Sequence, residues 1–266
     1  MEVKNKSRTL VIGDIHGNHK GLLQALERSN FDYKNDTLIS LGDVVDGHEE
    51  SFEVVETLLG IPNLIAIKGN HDDWFNIWLE TGVNPSNWQQ GQKATGLSYL
   101  EKSRPGQTWW DLKSKSPILM EAIKTNDIPD NHIEFFKNQK HYYIDEQNRL
   151  FVHGGFNRHY PLEEQGDILW WDRDLWSQAL SYEGMTRGPL DKKPGFKMLG
   201  DYKEVFIGHT STQFWNVNTP MKAANIYNLD TGGGWIGYIT IMDVDTKEYW
   251  QSDDAKTLYP EFKGRN

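Results

Sequence analysis

Six short apolar runs in this chain each end in glycine, histidine or a carboxylate or amide side chain, and their order constrains the fold more than any other feature. They are Thr9–Asp14 (TLVIGD), Thr37–Asp43 (TLISLGD), Leu64–Asn70 (LIAIKGN), Leu150–Gly155 (LFVHGG), Val205–His209 (VFIGH) and Ala224–Asp230 (ANIYNLD). A length of about six residues with β-branched content suits buried strands. Between the first two runs, Gly17–Arg28 puts Leu22, Leu23 and Leu26 on one helical face. Between the second and third, Ser51–Leu59 does the same with Phe52, Val55, Leu58 and Leu59, and Ser51 is the expected N-cap. Strand–helix–strand–helix order predicts an α/β core with a largely parallel first half. Ligands of such sheets bind beyond the carboxyl ends of the strands, and the polar residues of these runs fall there.

The rest of the chain reads differently. From Asp73 to Asp127 it holds Trp74, Trp78, Trp88, Trp109 and Trp110 and predicts helices and loops, a cap inserted over the sheet edge of a single domain spanning 1–266. Those tryptophans are expected to pack; exposed beside a site, they would stack on a nucleobase. Ser181–Gly200, with its glycines and prolines, predicts a long loop, and the alternation in Tyr238–Tyr249 (YITIMDVDTKEY) predicts a hairpin turning near Asp245-Thr246-Lys247. A formal net charge of −10 argues against general nucleic-acid binding. No run approaches the roughly 18 apolar residues of a membrane span. The N-terminus lacks the apolar core of an export signal, so cytoplasm is the default expectation. With no cysteine, disulfide and thiol chemistry are excluded.

The chemistry-bearing residues come in five elements. Gly13-Asp14-Ile15-His16-Gly17 places Asp and His two apart in a turn, where both can face one cation. Gly42-Asp43-Val44-Val45-Asp46-Gly47 and Gly69-Asn70-His71-Asp72 repeat the pattern of strand, glycine and ligand-type residue, with one helix before each. Neighbouring parallel strands would bring Asp14, Asp43 and Asn70 within reach of a common point. His153-Gly154-Gly155 and Gly208-His209-Thr210 each add a histidine at a strand end. Such a histidine alone is more often structural; five elements in this order favour metal ligation. Mixed oxygen and imidazole donors suit Mn, Fe, Zn or Mg, and Asp43 could bridge two ions. His71 directly follows a candidate ligand and must therefore point near the metals. A serine-hydrolase reading of His153-Gly154-Gly155 fails because the chain has no Gly-x-Ser-x-Gly elbow.

These motifs (GDIHG, GDVVDG, GNHD, VHGG, GHT) resemble those of the calcineurin-like metallophosphoesterases, in particular the phosphoprotein phosphatases and the bacterial symmetrical dinucleoside tetraphosphatases. Trp88–Tyr99 (WQQGQKATGLSY), Ile128–Phe136 (IPDNHIEFF), Ile168–Arg173 (ILWWDR) and Asn228–Gly232 (NLDTG) extend the resemblance from about residue 8 to 250. It implies two mixed β-sheets packed as a sandwich flanked by helices. It implies one divalent metal, Mn before the alternatives, on Asp14, His16 and Asp43, and a second on Asp43, Asn70, His153 and His209. A hydroxide shared by the two ions would attack phosphorus in line. His71 matches the family's general acid, and Asp46 the carboxylate that orients it.

Two departures bear on substrate binding. The second motif usually ends Asp-Arg-Gly, and that arginine clamps phosphate; here Gly47 and His48 follow Asp46. Losing a bidentate guanidinium weakens phosphate binding or moves the task elsewhere. Arg173 matches a second phosphate-binding arginine of the bacterial branch, Asn70 is a further candidate substrate-binding residue, and Arg158 and His48 are the other candidate substitutes. Gln92 stands where a glycine usually follows Gly91. The expected activity is hydrolysis of phosphate monoesters on a phosphoprotein or a small molecule. The alternatives are hydrolysis of a dinucleoside polyphosphate such as diadenosine tetraphosphate, and a metal-bound scaffold without turnover.

Overall fold

The computed structural model describes residues 7–107, 123–185 and 195–261, so Trp109 and Trp110 lie outside the described residues. The first half alternates strands and helices: β1 (Thr9–Ile12), α1 (His19–Arg28), β2 (Thr37–Ser40), α2 (Ser51–Leu59), β3 (Leu64–Ala66), α3 (Asn70–Thr81) and α4 (Gln92–Ser103). After α5 (Asp130–Lys137) come β4 (Tyr142–Ile144), β5 (Arg149–Val152) and α6 (Asp174–Met185). The strands β6 (Glu204–Ile207), β7 (Met221–Ala223), β8 (Ile226–Asn228), β9 (Thr240–Asp243) and β10 (Tyr249–Gln251) complete the order.

These strands form two mixed sheets, β10-β9-β1-β2-β3 and β4-β5-β6-β8-β7. In the first, β1, β2 and β3 run parallel, as their helical crossovers require, and β9 and β10 close one edge antiparallel. In the second, β5, β6 and β8 are parallel between antiparallel β4 and β7. The expected sandwich is therefore present.

Period-2 alternation explains the layering. In β1, Leu10 and Ile12 join the core shared with the helices, while Val11 joins a core between the sheets. In β6, Val205 and Ile207 face the second helical layer and Phe206 faces inward. The inner layer is aromatic on one side: Phe206 stacks on Phe151 at 4.9 Å and on Tyr227 at 5.2 Å. Burying each such side chain contributes about 1.5–3 kcal/mol.

Two local expectations are corrected. Ser51 is the first residue of α2, and the N-cap is Glu50, which makes no side-chain capping bond. Ser181–Met185 belongs to α6, so the predicted loop begins later, and residues 186–194 lie outside the described residues. As expected of the tryptophans, the described part of that stretch packs into the core of the first sheet: Phe75, Trp78, Trp88 and Tyr99 are buried in the cluster that contains Leu10 and Leu22.

Candidate metal and phosphoester site

All five motifs lie just beyond the carboxyl ends of parallel strands, four of them in turns and one opening α3 at Asn70. The turns are tight. His16, Asp43, Asp46 and His209 all carry positive φ, from 51° to 66°. Such a backbone costs a residue with a β-carbon about 1–3 kcal/mol and persists only where surroundings enforce it. Here Asp43 O accepts both Ile15 N–H and His16 N–H, and His16 O accepts His48 N–H at 2.8 Å. At Gly69 and Gly208 the close approach requires glycine: a β-carbon would sit 2.1 Å from Asp43 Oδ1 and 2.1 Å from Asp14 Oδ1, respectively.

Asp43 is the centre of the cluster. Its Oδ2 lies 3.4 Å from His16 Nε2 and 3.4 Å from His153 Nε2, and its Oδ1 accepts His71 N–H at 2.9 Å. His16 Nδ1 is 2.9 Å from Val45 O and His153 Nδ1 is 2.8 Å from Leu41 O. A carbonyl only accepts, so each ring carries a proton on Nδ1 and in its neutral form turns an Nε2 lone pair toward Asp43. Asn70 Oδ1 lies 3.2 Å from His153 Nε2. Asp14 Oδ2 lies 3.7 Å from His16 Nε2, and the same carboxylate accepts His209 N–H. Among the described residues, buried His209 Nε2 has no hydrogen-bond partner.

Lone pairs and carboxylates facing one another inside a protein call for cations. Burial works against the charge of Asp43, yet the His153, His71 and His16 rings hold its carboxyl well below the usual range. Burial also depresses His153, but the Asp43 and Asp14 carboxylates overcome it and raise that ring to about 9. Burial, then His153 and Arg173, keep His209 neutral, the form that can ligate a metal. Two groups, His16–Asp43–His71 and Asp43–His153–His209, have ligand atoms within 4.8 Å of one another and could each hold a metal ion. Asp43 belongs to both. His71 therefore stands in the first group, where the sequence pointed to Asp14.

His71 Nδ1 is 2.8 Å from Asp46 Oδ2, and both residues are buried. Asp72 joins two motifs: its Oδ1 accepts Val44 N–H at 2.9 Å and its Oδ2 accepts Gly69 N–H at 3.1 Å. Burial and the Asp43 charge push its carboxyl up to about 6.

His16, Asp43, Asn70, His71 and His209 line a cavity of about 310 Å³ whose wall includes Arg173, Trp74, Trp171 and the loop residues Asn87, Gln89 and Gln90. Arg173 is held there by bonds from Nη1 to His209 O at 2.7 Å and Thr210 Oγ1 at 2.9 Å. The other two arginine substitutes lie elsewhere. Arg158 bonds Gln178 and Lys197 O and covers the Phe196 ring, lining a separate cavity. His48 is buried, bonded to Gly233 O at 3.1 Å and stacked on Tyr259 at 4.3 Å, and it does not line the metal cavity. Residues Trp171 and Gln89–Gln90 were not legible as site residues, although the sequence resemblance ran through both segments.

At Gly47, where the related pattern has arginine, this backbone leaves no room for a side chain. Its φ is +141°, and a β-carbon there would strike His16 O at 2.6 Å and His16 Cβ at 2.8 Å. Gly47→Arg is therefore expected to lower stability to urea by about 1–3 kcal/mol without tightening inorganic phosphate. Unchanged stability together with tighter phosphate would show that the position can host a clamp.

A second cavity of about 540 Å³ adjoins the first through Gln90, Arg173 and His209. Its apolar wall is Phe214, Trp235 and Ile236, which are 74%, 41% and 56% exposed. Of the cap tryptophans among the described residues, Trp78 and Trp88 are fully buried and only Trp74 reaches the metal cavity.

A fold of two mixed sheets with an Asp/His/Asn cluster at the strand ends defines a metallophosphoesterase. The chain belongs to the calcineurin-like phosphoesterase family, whose model matches residues 7–213, and is a hydrolase acting on phosphoester bonds. A serine/threonine-protein phosphatase 2 of Salmonella typhimurium is 34% identical over 142 residues, 48% of this chain and 62% of that protein. A symmetrical bis(5'-nucleosyl)-tetraphosphatase of Coxiella burnetii is 27% identical with 94% of each chain covered. A solved structure described as a candidate diadenosine tetraphosphatase superposes with TM-score 0.61 at 17% identity, covering 93% of this chain and 94% of that one. Among the described residues no helix is long and apolar enough to cross a membrane.

Proposed function

We propose that this chain hydrolyses small phosphoesters using two divalent cations, manganese first among them, with His71 as the proton donor to the leaving oxygen. The observation that carries this reading is Asp43 Oδ2 lying equally close to two imidazoles beside the His71–Asp46 pair. Asp14, His16 and Asp43 would hold one cation, and Asp43, Asn70, His153 and His209 the other. When bound, the cations supply an activated water and neutralise the phosphoryl oxygens. Asp46 fixes the ring of His71 by accepting from Nδ1, and the proton to be donated is the second one, on Nε2 of the imidazolium. Arg173, tethered at the cavity wall, grips the phosphate.

The test is turnover of p-nitrophenyl phosphate and a phosphoester panel with Mn, Fe, Zn and Mg in turn. Metal binding with no turnover of any ester would favour the scaffold reading. Arg173→Ala is expected to raise KM, and the inhibition constant of inorganic phosphate, about 10–100-fold, the worth of one or two charge-assisted hydrogen bonds. Unchanged constants would remove Arg173 from the binding role.

A second reading, a dinucleoside polyphosphate hydrolase, is favoured by the full-length match to tetraphosphatases and by the aromatic cavity beyond Arg173. Chromatography of products from diadenosine tetraphosphate decides it: nucleotide release supports it, and an intact substrate at high enzyme concentration removes it.

A further inference from the structure

Asp46 is held by more than His71. Its Oδ2 also accepts the indole N–H of Trp88 at 2.5 Å, and its Oδ1 accepts the hydroxyl of Thr95 at 2.6 Å. The Thr95 hydroxyl oxygen in turn accepts Asp46 N–H at 3.0 Å. Trp88, Thr95 and Asp46 are all fully buried. Between the two donors the chain passes so close that a β-carbon on Gly91 would lie 2.5 Å from Asp46 Cβ, and Gly91 has a φ of +81°. Gln92, the residue that departs from the related pattern, bonds the Trp88 carbonyl at 2.6 Å and latches the loop.

We infer that Trp88 and Thr95 are positioning residues: through Asp46 they fix the imidazole of His71 in the orientation from which it donates to the leaving oxygen. Asp46 sits in a left-handed backbone with φ 63°. Its carboxylate plane would otherwise be free to rotate about the side-chain bonds. Two donors on two different oxygens, from a loop and a helix of the cap, remove that rotation. The indole N–H shares Oδ2 with His71 and so sets where on that oxygen the imidazole N–H can bond. Neither side chain lines the metal cavity, which separates their task from metal or phosphate binding. The cap thus reaches the chemistry through hydrogen bonds to the proton donor's partner.

This inference rests on the reading of His71 as the acid. Trp88→Phe keeps the ring and removes the N–H; Thr95→Val removes the hydroxyl at equal volume; Thr95→Ser restores it. Each full-length manganese-loaded variant is assayed on p-nitrophenyl phosphate, whose leaving group needs no proton, and on glycerol 3-phosphate, whose alkoxide does. Expected is a loss in kcat of about tenfold or more on the alkyl ester, within the usual 10–100-fold for outer-shell partners, and about twofold or less on the aryl ester. KM and manganese affinity by calorimetry stay within twofold, and Thr95→Ser recovers the alkyl activity. Equal losses on both esters, or none, would overturn the inference by showing that the contacts only pack the loop. If His71→Asn itself shows no preference between the esters, it is the acid role of His71 that fails. A preference with His71→Asn but not with Trp88→Phe or Thr95→Val sinks the positioning role alone.

Discussion

Asp43→Asn is expected to lower kcat/KM for p-nitrophenyl phosphate by on the order of 10³-fold, and to reduce bound manganese at the same time. The size follows from the position of one oxygen: Oδ2 faces both His16 and His153, so a single carboxylate serves two ligand groups. Asparagine keeps the volume and an oxygen that can accept His71 N–H, as Oδ1 does now. It removes the negative charge that lets two cations approach one another, and preorganised electrostatics of this kind are among the largest contributions to catalysis. Metal content after desalting and steady-state kinetics at saturating manganese separate lost affinity from lost chemistry. Activity within tenfold of the parent at full metal content would mean that Asp43 is not the shared ligand.

The second large effect is expected from His71→Asn. General acid catalysis is worth roughly 10²–10⁴-fold where the leaving oxygen needs a proton, and much less where it does not. The variant should therefore lose about 10³-fold on an alkyl phosphate and about tenfold on p-nitrophenyl phosphate. The ring's surroundings support this split. Nδ1 is engaged by Asp46, and the ring packs edge-on against His16 at 4.9 Å and Trp74 at 4.9 Å. His71 also stands in one of the two metal-capable groups, so the same variant tests the rival role. A fall in manganese affinity equal to the fall in rate on both esters would identify His71 as a ligand in place of an acid.

Much of the fold was legible because the parallel strands are short and apolar, all but β3 largely buried, with a glycine within a few residues of each carboxyl end. β1, β2, β3, β5, β6 and β8 were expected from apolar runs that cannot be satisfied at a surface, and the hairpin of β9 and β10 from its alternation. β4 and β7 were not. Tyr142–Ile144 and Met221–Ala223 are three-residue edge strands, too short for a period, and they exist because a neighbour offers unpaired backbone groups. Ser51 carried the chemistry of a cap, yet the backbone turn that α2 needed fell one residue earlier, at Glu50.

For the site, residue type and order were enough to collect Asp14, His16, Asp43, Asn70, His153 and His209. A strand end has one direction, and adjacent parallel ends converge on one place. The backbone conformations there, and the groups that enforce them, belong to the tertiary structure. So does the fate of the phosphate-gripping candidates: the sequence put Arg173 ahead of Arg158 and His48 by resemblance alone, and of the three it is Arg173 that packing carries to the cavity wall. Arg158 is spent on Gln178 and Lys197, and His48 on Gly233 and Tyr259. The clamp of Trp88 and Thr95 on Asp46 joins residues more than forty positions apart, a contact that no local pattern encodes. The sequence by itself determined which chemistry gathers at the strand ends, since burial and periodicity act locally. Which candidate side chains reach the cavity wall and which bond Asp46 was decided only by packing, because it depends on where distant segments meet.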